Sequence, residues 1–191
     1  MKIVNLLKFL PSQIIAMAQL KIRNAQVGKN VKFRGRSHIR GRGRFIIGND
    51  VTINSGVSSS PISCGVVTSL YVKSGAELLI GTGSGISASA IYCASHITIG
   101  EHVMIGAGCK IFDTDFHPID ADERRRDGHL GAKVKPITIG DDVFIGTGCI
   151  VCKGVMIGSG SVIGAGSVVT HNIPENEIWA GNPAKFIRKL E

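Results

Sequence analysis

The chain repeats itself every six residues. From Ile139 the blocks read IGDDVF, IGTGCI, VCKGVM, IGSGSV, IGAGSV and VTHNIP, so Ile139, Ile145, Val151, Ile157, Ile163 and Val169 each open a block. Gly follows the aliphatic in four of these six blocks, and the fifth position is small or β-branched throughout: Val143, Cys149, Val155, Ser161, Ser167, Ile173. The same form occurs at Ile99, Ile105 and Ile111, and earlier at Ile47, Ile53, Ile80 and Ile86. A period of six fits neither an α-helix, at about 3.6 residues, nor a flat strand, at about 2. It fits a short strand with one inward aliphatic, followed by a turn. Three such sides close a triangular coil of about 18 residues, and stacked coils form a parallel β-helix. Glycine at the second position is expected to serve corners that need positive φ.

Composition agrees with thin, stacked layers. The 191 residues include 25 Gly and only 5% aromatics, so the core is built from small and branched aliphatics. One domain is expected. It divides into a cap segment and basic lead-in (1–45), the repeat (46–174) with an excursion at 117–136, and a tail (175–191). The first segment reads as a short helix broken near Pro11 that packs on the coil's open end or lies on a membrane. No run reaches the roughly 18–20 apolar residues of a membrane-spanning helix. No secretory leader is expected, because Lys8 and Pro11 interrupt the apolar runs. Five cysteines without framework spacing suit reduced thiols and a cytoplasmic location.

The net charge of +8 is unevenly placed. Met1–Asn49 holds 11 of the 22 Lys and Arg and no Asp or Glu, whereas the remainder carries 11 basic and 14 acidic residues. The density peaks in RGRSHIRGRGR, Arg34–Arg44. Such a segment attracts an acidic glycan, a lipid-linked phosphate or a membrane surface, or is simply a solvated basic face. No nucleic-acid partner is expected.

The repeat breaks at FDTDFHPID, Phe112–Asp120. Counting six from Ile111 reaches His117, where an aliphatic belongs, and Pro118 follows it. Pro118 donates no hydrogen bond and biases His117 toward extended geometry. Ile99 to Ile139 is not a whole number of blocks, so the chain leaves the coil at His117 and returns near Pro136. Asp113 and Asp115, four and two residues earlier, project to the same side as His117 if the segment is extended. An imidazole held on a rigid wall suits proton abstraction from a hydroxyl.

The blocks, together with DTDFHPID and WAGNPAKFIRKL (Trp179–Leu190), resemble the hexapeptide-repeat O-acetyltransferases, most nearly the maltose/galactoside and capsular-polysaccharide sugar acetyltransferases. The resemblance implies an all-β, left-handed parallel β-helix with a short C-terminal helix. It implies a homotrimer that transfers acetyl from acetyl-CoA directly to a sugar or glycan hydroxyl, with no metal. In that reading His117 is the general base, and Asp115 and Asp113 orient it or hold substrate. Gly146, Thr147, Gly164, Ala165 and Thr170 line the coenzyme groove, and Lys185 and Arg188 meet its phosphates. Galactoside-type members place an Asn and an Asp where this chain has Ala88 and Cys93. Ser87 and Ser89 are therefore the candidate acceptor contacts, with Asn54 and Ser55 behind them, and an anionic or lipid-linked acceptor is compatible with the basic lead-in.

Two other classes share the architecture. A metal-dependent hydratase resembling γ-carbonic anhydrases needs three histidines at a subunit interface, for which His96, His102 and His117 are available. A non-catalytic β-helix leaves His117 without a role. Cys149 and Cys152 form a lone C-x-x-C, read as core packing rather than metal ligation. Lys153 reads as a solvated corner.

Overall fold

The computed structural model describes residues 2–191, with side chains from Lys8 onward. Its strands form three sheets that wind as a left-handed parallel β-helix. The first sheet holds Gln26–Val27, Arg44–Ile47, Glu77–Ile80, His96–Ile99, Ile137–Ile139 and Met156–Ile157. The second holds Lys32–Arg34, Thr52–Asn54, Gly85–Ser87, Met104–Ile105, Phe144–Ile145, Val162–Ile163, Glu177–Ala180 and Lys185–Lys189. The third holds His38–Gly41, Ser69–Val72, Ala90–Cys93, Lys110–Phe112, Ile150–Val151 and Val168–Val169.

Register follows the repeat. Ile99 pairs with Ile139 and Ile139 with Ile157, while Ile105, Ile145 and Ile163 stack on the second sheet. These aliphatics are fully buried or nearly so, as are the fifth-position residues Val143, Cys149, Ser161 and Ser167. The core is thus a set of single-residue columns along the coil axis, which explains why few aromatics are needed.

The glycines do different work from that expected. Positive φ falls on the fourth position of the five blocks from Ile139 to Ile163, as at Gly148 (φ 71°), with Asp142 taking the same conformation one corner earlier (φ 56°). The second-position glycine is required by close stacking. A Cβ on Gly146 would lie 2.6 Å from the backbone nitrogen of Ala165 in the next coil.

Both ends differ from the sequence-based boundaries. The coil begins at Gln26, which pairs with Ile46, so residues 26–45 are a full turn rather than a lead-in. A helix, α1 (Lys2–Ile22), runs through Pro11 without a break and packs on the first turn through Ala16 and Leu20. Its register on the coil is fixed by Gln13, whose side chain donates to Val31 O (2.9 Å) and accepts from Phe33 N (2.6 Å). At the other end there is no C-terminal helix. Glu177–Ala180 extends the second sheet, and Lys185–Lys189 folds back antiparallel on it, with Trp179 against Phe186. Gly181 (φ 106°) and Pro183 in the intervening turn break helical continuity, and the free edge of the last coil offers backbone partners.

Candidate active site

The excursion leaves the third sheet after Phe112, slightly earlier than expected, and its base is zipped. Thr114 bridges Val134, Asp115 N donates to Lys133 O (3.0 Å), and Lys135 N donates to Asp113 O (3.0 Å). Within it lies a second helix, α2 (Ala121–Asp127), capped by Asp120, whose carboxylate accepts from Asp122 N and Glu123 N at 2.9 Å each.

His117 stands exposed at the mouth of this excursion. The chain is not extended before it, because Phe116 takes φ 61° and turns the backbone. Asp113, Asp115 and His117 therefore do not share a side. Nδ1 of His117 lies 3.2 Å from the carbonyl oxygen of Gly128, the residue that ends α2. A carbonyl only accepts, so this contact assigns the proton to Nδ1 and leaves Nε2 with its lone pair. The sequence-based reading gave that orienting task to an aspartate; a backbone carbonyl performs it.

Asp113 is structural. It is 0% exposed, and its carboxylate accepts from Ala94 N (2.6 Å), Ser95 N (2.7 Å) and His96 N (2.9 Å) at a corner of the preceding coil. Those bonds satisfy three backbone donors at that corner. Asp115 is different. Its Oδ1 meets Lys153 Nζ at 2.8 Å, with both side chains 21% exposed, and its Oδ2 is buried with no hydrogen-bond partner among the described residues. Lys153 is thus a half-buried ion-pair partner rather than a solvated corner. An orphaned carboxylate oxygen two residues from an exposed histidine is an acceptor held ready for a hydroxyl or an imidazole.

The acceptor candidates separate. Ser89 is fully buried, donates to Ser87 O and Gly106 O (2.8 Å each) and accepts from Cys109 N, so it is a rung of the core and not a ligand contact. Ser87 is half-buried on the outer side of the second sheet, and Asn54 Nδ2 donates to its hydroxyl at 3.3 Å. Ser55 is buried and bonded to Arg36 O and Thr68 N.

The coenzyme candidates lie on two different edges of the prism. Gly146, Thr147, Gly164 and Ala165 form the edge between the second and third sheets, where Ala165 is exposed and Thr147 donates to Ala107 O (3.0 Å). Lys185 pairs with Ala180 beside that edge and is exposed, as is Arg188, which pairs with Ile178. Thr170 instead follows the third sheet, on the edge that carries His117, Asp115 and Lys153, and its hydroxyl lies 2.8 Å from His171 Nδ1. Within one chain the third sheet separates the candidate base from most of the candidate coenzyme groove.

Two of the buried thiols, Cys93 and Cys109, are poor nucleophiles, whereas the hydrogen bond from Cys109 lowers Cys149 to about 7. Burial, reinforced by the Asp113 charge, pushes Cys93 up to about 12. Cys109 is raised by its hydrogen bond with Cys149 and by burial. Cys149 packs in the core, while Cys152 is half-buried on the outside, which separates the C-x-x-C. Among the described residues no three His, Cys, Asp or Glu side chains gather as metal ligands would. His96 leans on Glu77 (3.5 Å) and His102 occupies a left-handed corner.

An aromatic column escaped the sequence reading. Tyr71 and Tyr92 stack at 4.7 Å, Phe116 meets the edge of Tyr92 at 4.8 Å, and Phe112 lies 5.4 Å from Phe116. Its signal was the register of Tyr71, Tyr92 and Phe112 on successive turns. The column props the segment that carries His117.

The hexapeptide repeat of succinyl-transferase family matches residues 136–171. The galactoside O-acetyltransferase of Escherichia coli K12 is 43% identical over 94 residues, 49% of this chain and 44% of that protein. Gamma carbonic anhydrase 1 of Arabidopsis thaliana is 27% identical over 130 residues, 67% of this chain and 47% of that protein. A hexapeptide-repeat acetyltransferase from Vibrio cholerae, also solved with acetyl-CoA, superposes with a TM-score of 0.65 at 23% identity, covering 95% of this chain and 82% of that one. By repeat, fold and relatives, the chain is a hexapeptide-repeat β-helix protein similar to the O-acetyltransferases. It spans about half the length of the curated relatives it matches.

Proposed function

We propose that the chain is an acetyl-CoA-dependent O-acetyltransferase acting on a hydroxyl of a sugar or glycan precursor, with His117 as general base. The observation that carries this reading is the mouth of the excursion: an exposed imidazole whose Nδ1 is held by Gly128 O, leaving Nε2 to accept, two residues after Asp115, whose buried Oδ2 has no hydrogen-bond partner among the described residues. Nε2 accepts the proton as the acceptor oxygen bonds to the thioester carbonyl carbon. The C–S bond then breaks, and the imidazolium returns the proton to the departing CoA sulfur. No acyl-enzyme is needed, which agrees with Cys93 and Cys109 being buried and raised in pKa.

The split of candidates between two edges supports a trimer with sites between protomers. The edge bearing Gly146, Thr147, Gly164, Ala165 and Lys185 on one copy meets the His117 edge of another. Small residues on the first edge leave room for a pantetheine arm. Lys185 and Arg188 supply charge for phosphates, and Thr170 lies on the catalytic side.

The test is thiol release from acetyl-CoA across a panel of sugar and glycan acceptors, with metal analysis of the same protein. His117→Ala is expected to lower kcat by about 10²–10⁴-fold while preserving the fold, since the side chain is exposed. Full activity of His117→Ala on the best acceptor overturns the assignment. Stoichiometric zinc with hydratase activity and no thiol release favours the carbonic-anhydrase-like alternative.

A further inference from the structure

The cap helix buries one side and leaves the other apolar. Ala16 and Leu20 face the coil, whereas Leu10, Ile14 (60% exposed), Ile15, Met17 and Ile22 (79% exposed) face outward. A surface helix ordinarily turns polar groups outward. Here the outward side has Lys8 and Lys21 among the aliphatics and no acidic residue.

Grooves run along both flanks of the helix. One, of about 520 Å³, is lined by Lys8, Arg36, His38 and Arg40. The other, of about 720 Å³, is lined by Lys8, Lys32 and Arg34. Strand alternation sets this fringe: Phe33, Ile39 and Phe45 point into the core, so Arg34, Arg40 and Arg44 point out. Among the described residues, Arg44 alone of these three meets a carboxylate, Glu77 at 2.9 Å. The end of the prism therefore presents an apolar ridge between two cationic grooves.

We propose that this end docks on an anionic phospholipid surface, with α1 lying in the interface plane and the flanking Lys and Arg on lipid phosphates. The charge pattern selects this occupant. A second copy of the same end would oppose two segments of +11 with no acidic residue in either. An anionic bilayer supplies both an apolar layer for the ridge and phosphates for the grooves. The inference stands independently of the acetyl-transfer reading.

The test is co-sedimentation of the full chain with phosphatidylcholine vesicles, with or without phosphatidylglycerol, at low and high salt. Wild type is expected to bind the phosphatidylglycerol vesicles at least about tenfold more tightly, since each engaged basic residue is worth about fivefold. High salt should weaken that preference. Ile14→Glu/Ile22→Glu is expected to abolish binding with an unchanged melting temperature, because both positions are exposed. Arg36→Glu/Arg40→Glu should remove the preference for anionic lipid. Equal partition of wild type and the Ile14/Ile22 variant overturns the proposal, as does failure of wild type to bind phosphatidylglycerol vesicles at low salt. So does a drop in oligomeric state in the Ile14/Ile22 variant, which would assign the ridge to a second copy.

Discussion

Asp113 accepts from three backbone N–H groups and Asp115 from one ammonium, and that difference sets what each removal should do. Asparagine at 113 keeps one acceptor oxygen and turns an NH2 toward N–H donors. Asp113→Asn is expected to lower the unfolding free energy by about 2–3 kcal/mol, the worth of a buried charged acceptor, with a smaller effect on turnover. Asp115→Asn should show the opposite balance. It should cost under about 1 kcal/mol of stability, because the ion pair it weakens is partly solvated, and lower kcat by about tenfold. Urea unfolding and thiol release on the same two variants check both, and a reversed pattern would exchange their roles. Cys93 gives a pH signature. Burial holds its thiol protonated to about 12 in the fold, above its ordinary value of 9.0. Its contribution is fully present below the unfolded pKa and lost as pH rises toward the folded one, because only the unfolded chain ionises in that window. Unfolding midpoints of wild type and Cys93→Ser are expected to converge between about pH 9 and 12. Sequence alone placed Asp113, Asp115 and His117 in one motif. It could not separate them, because the turn at Phe116 and the distant amides of Ala94–His96 have no local signature.

Elements were legible in proportion to how often one aliphatic recurs per side. The columns opened by Ile139–Val169 follow from spacing alone. The first turn was missed although Val27, Phe33 and Ile39 keep the period, because arginines crowd them and the phase slips by two before Ile47. The closing hairpin was missed because AKFIRKL is rich in helix formers, and an open sheet edge outweighs propensity. The excursion was found as a break in period, but α2 inside it was not foreseen. That helix matters to the site, since its final carbonyl, Gly128 O, holds His117 Nδ1. Asp120→Ala removes the cap that accepts from Asp122 N and Glu123 N, a loss of about 1 kcal/mol locally, or about fivefold in the ordered population. The expected result is a kcat lowered by about that factor with an unchanged global melting temperature, since α2 buries no residue in the core. Asp120→Asn, which retains an acceptor, should restore most of the rate. Equal loss in both variants would show that the cap is not what positions the imidazole.

At the scale of the molecule, the ends and edges divide the work. The N-terminal end carries the apolar ridge and half of the basic residues with no acidic one among its first 49 residues, while the candidate chemistry sits on edges farther along the coil. Those edges are separated by the third sheet, so a single chain holds His117 on one and the small-residue groove with Lys185 on the other. If the site forms between protomers, two inactive variants should complement each other. His117→Ala lacks the base but has an intact groove; Ala165→Trp fills the groove at an exposed position but keeps the base. In randomly mixed trimers with three equivalent interfaces, an interface is competent when the base-bearing edge of the groove-blocked chain meets the open groove of the base-less chain. That combination occurs at about one interface in four, so the mixture is expected to regain about a quarter of wild-type activity. The measurement is thiol release after the two variants are unfolded and refolded together, with mass spectrometry confirming hybrid trimers. Mixing without refolding should recover nothing unless subunits exchange. Confirmed hybrids without activity would place the whole site within one chain, and the division of residues between two edges would then need a path across the third sheet.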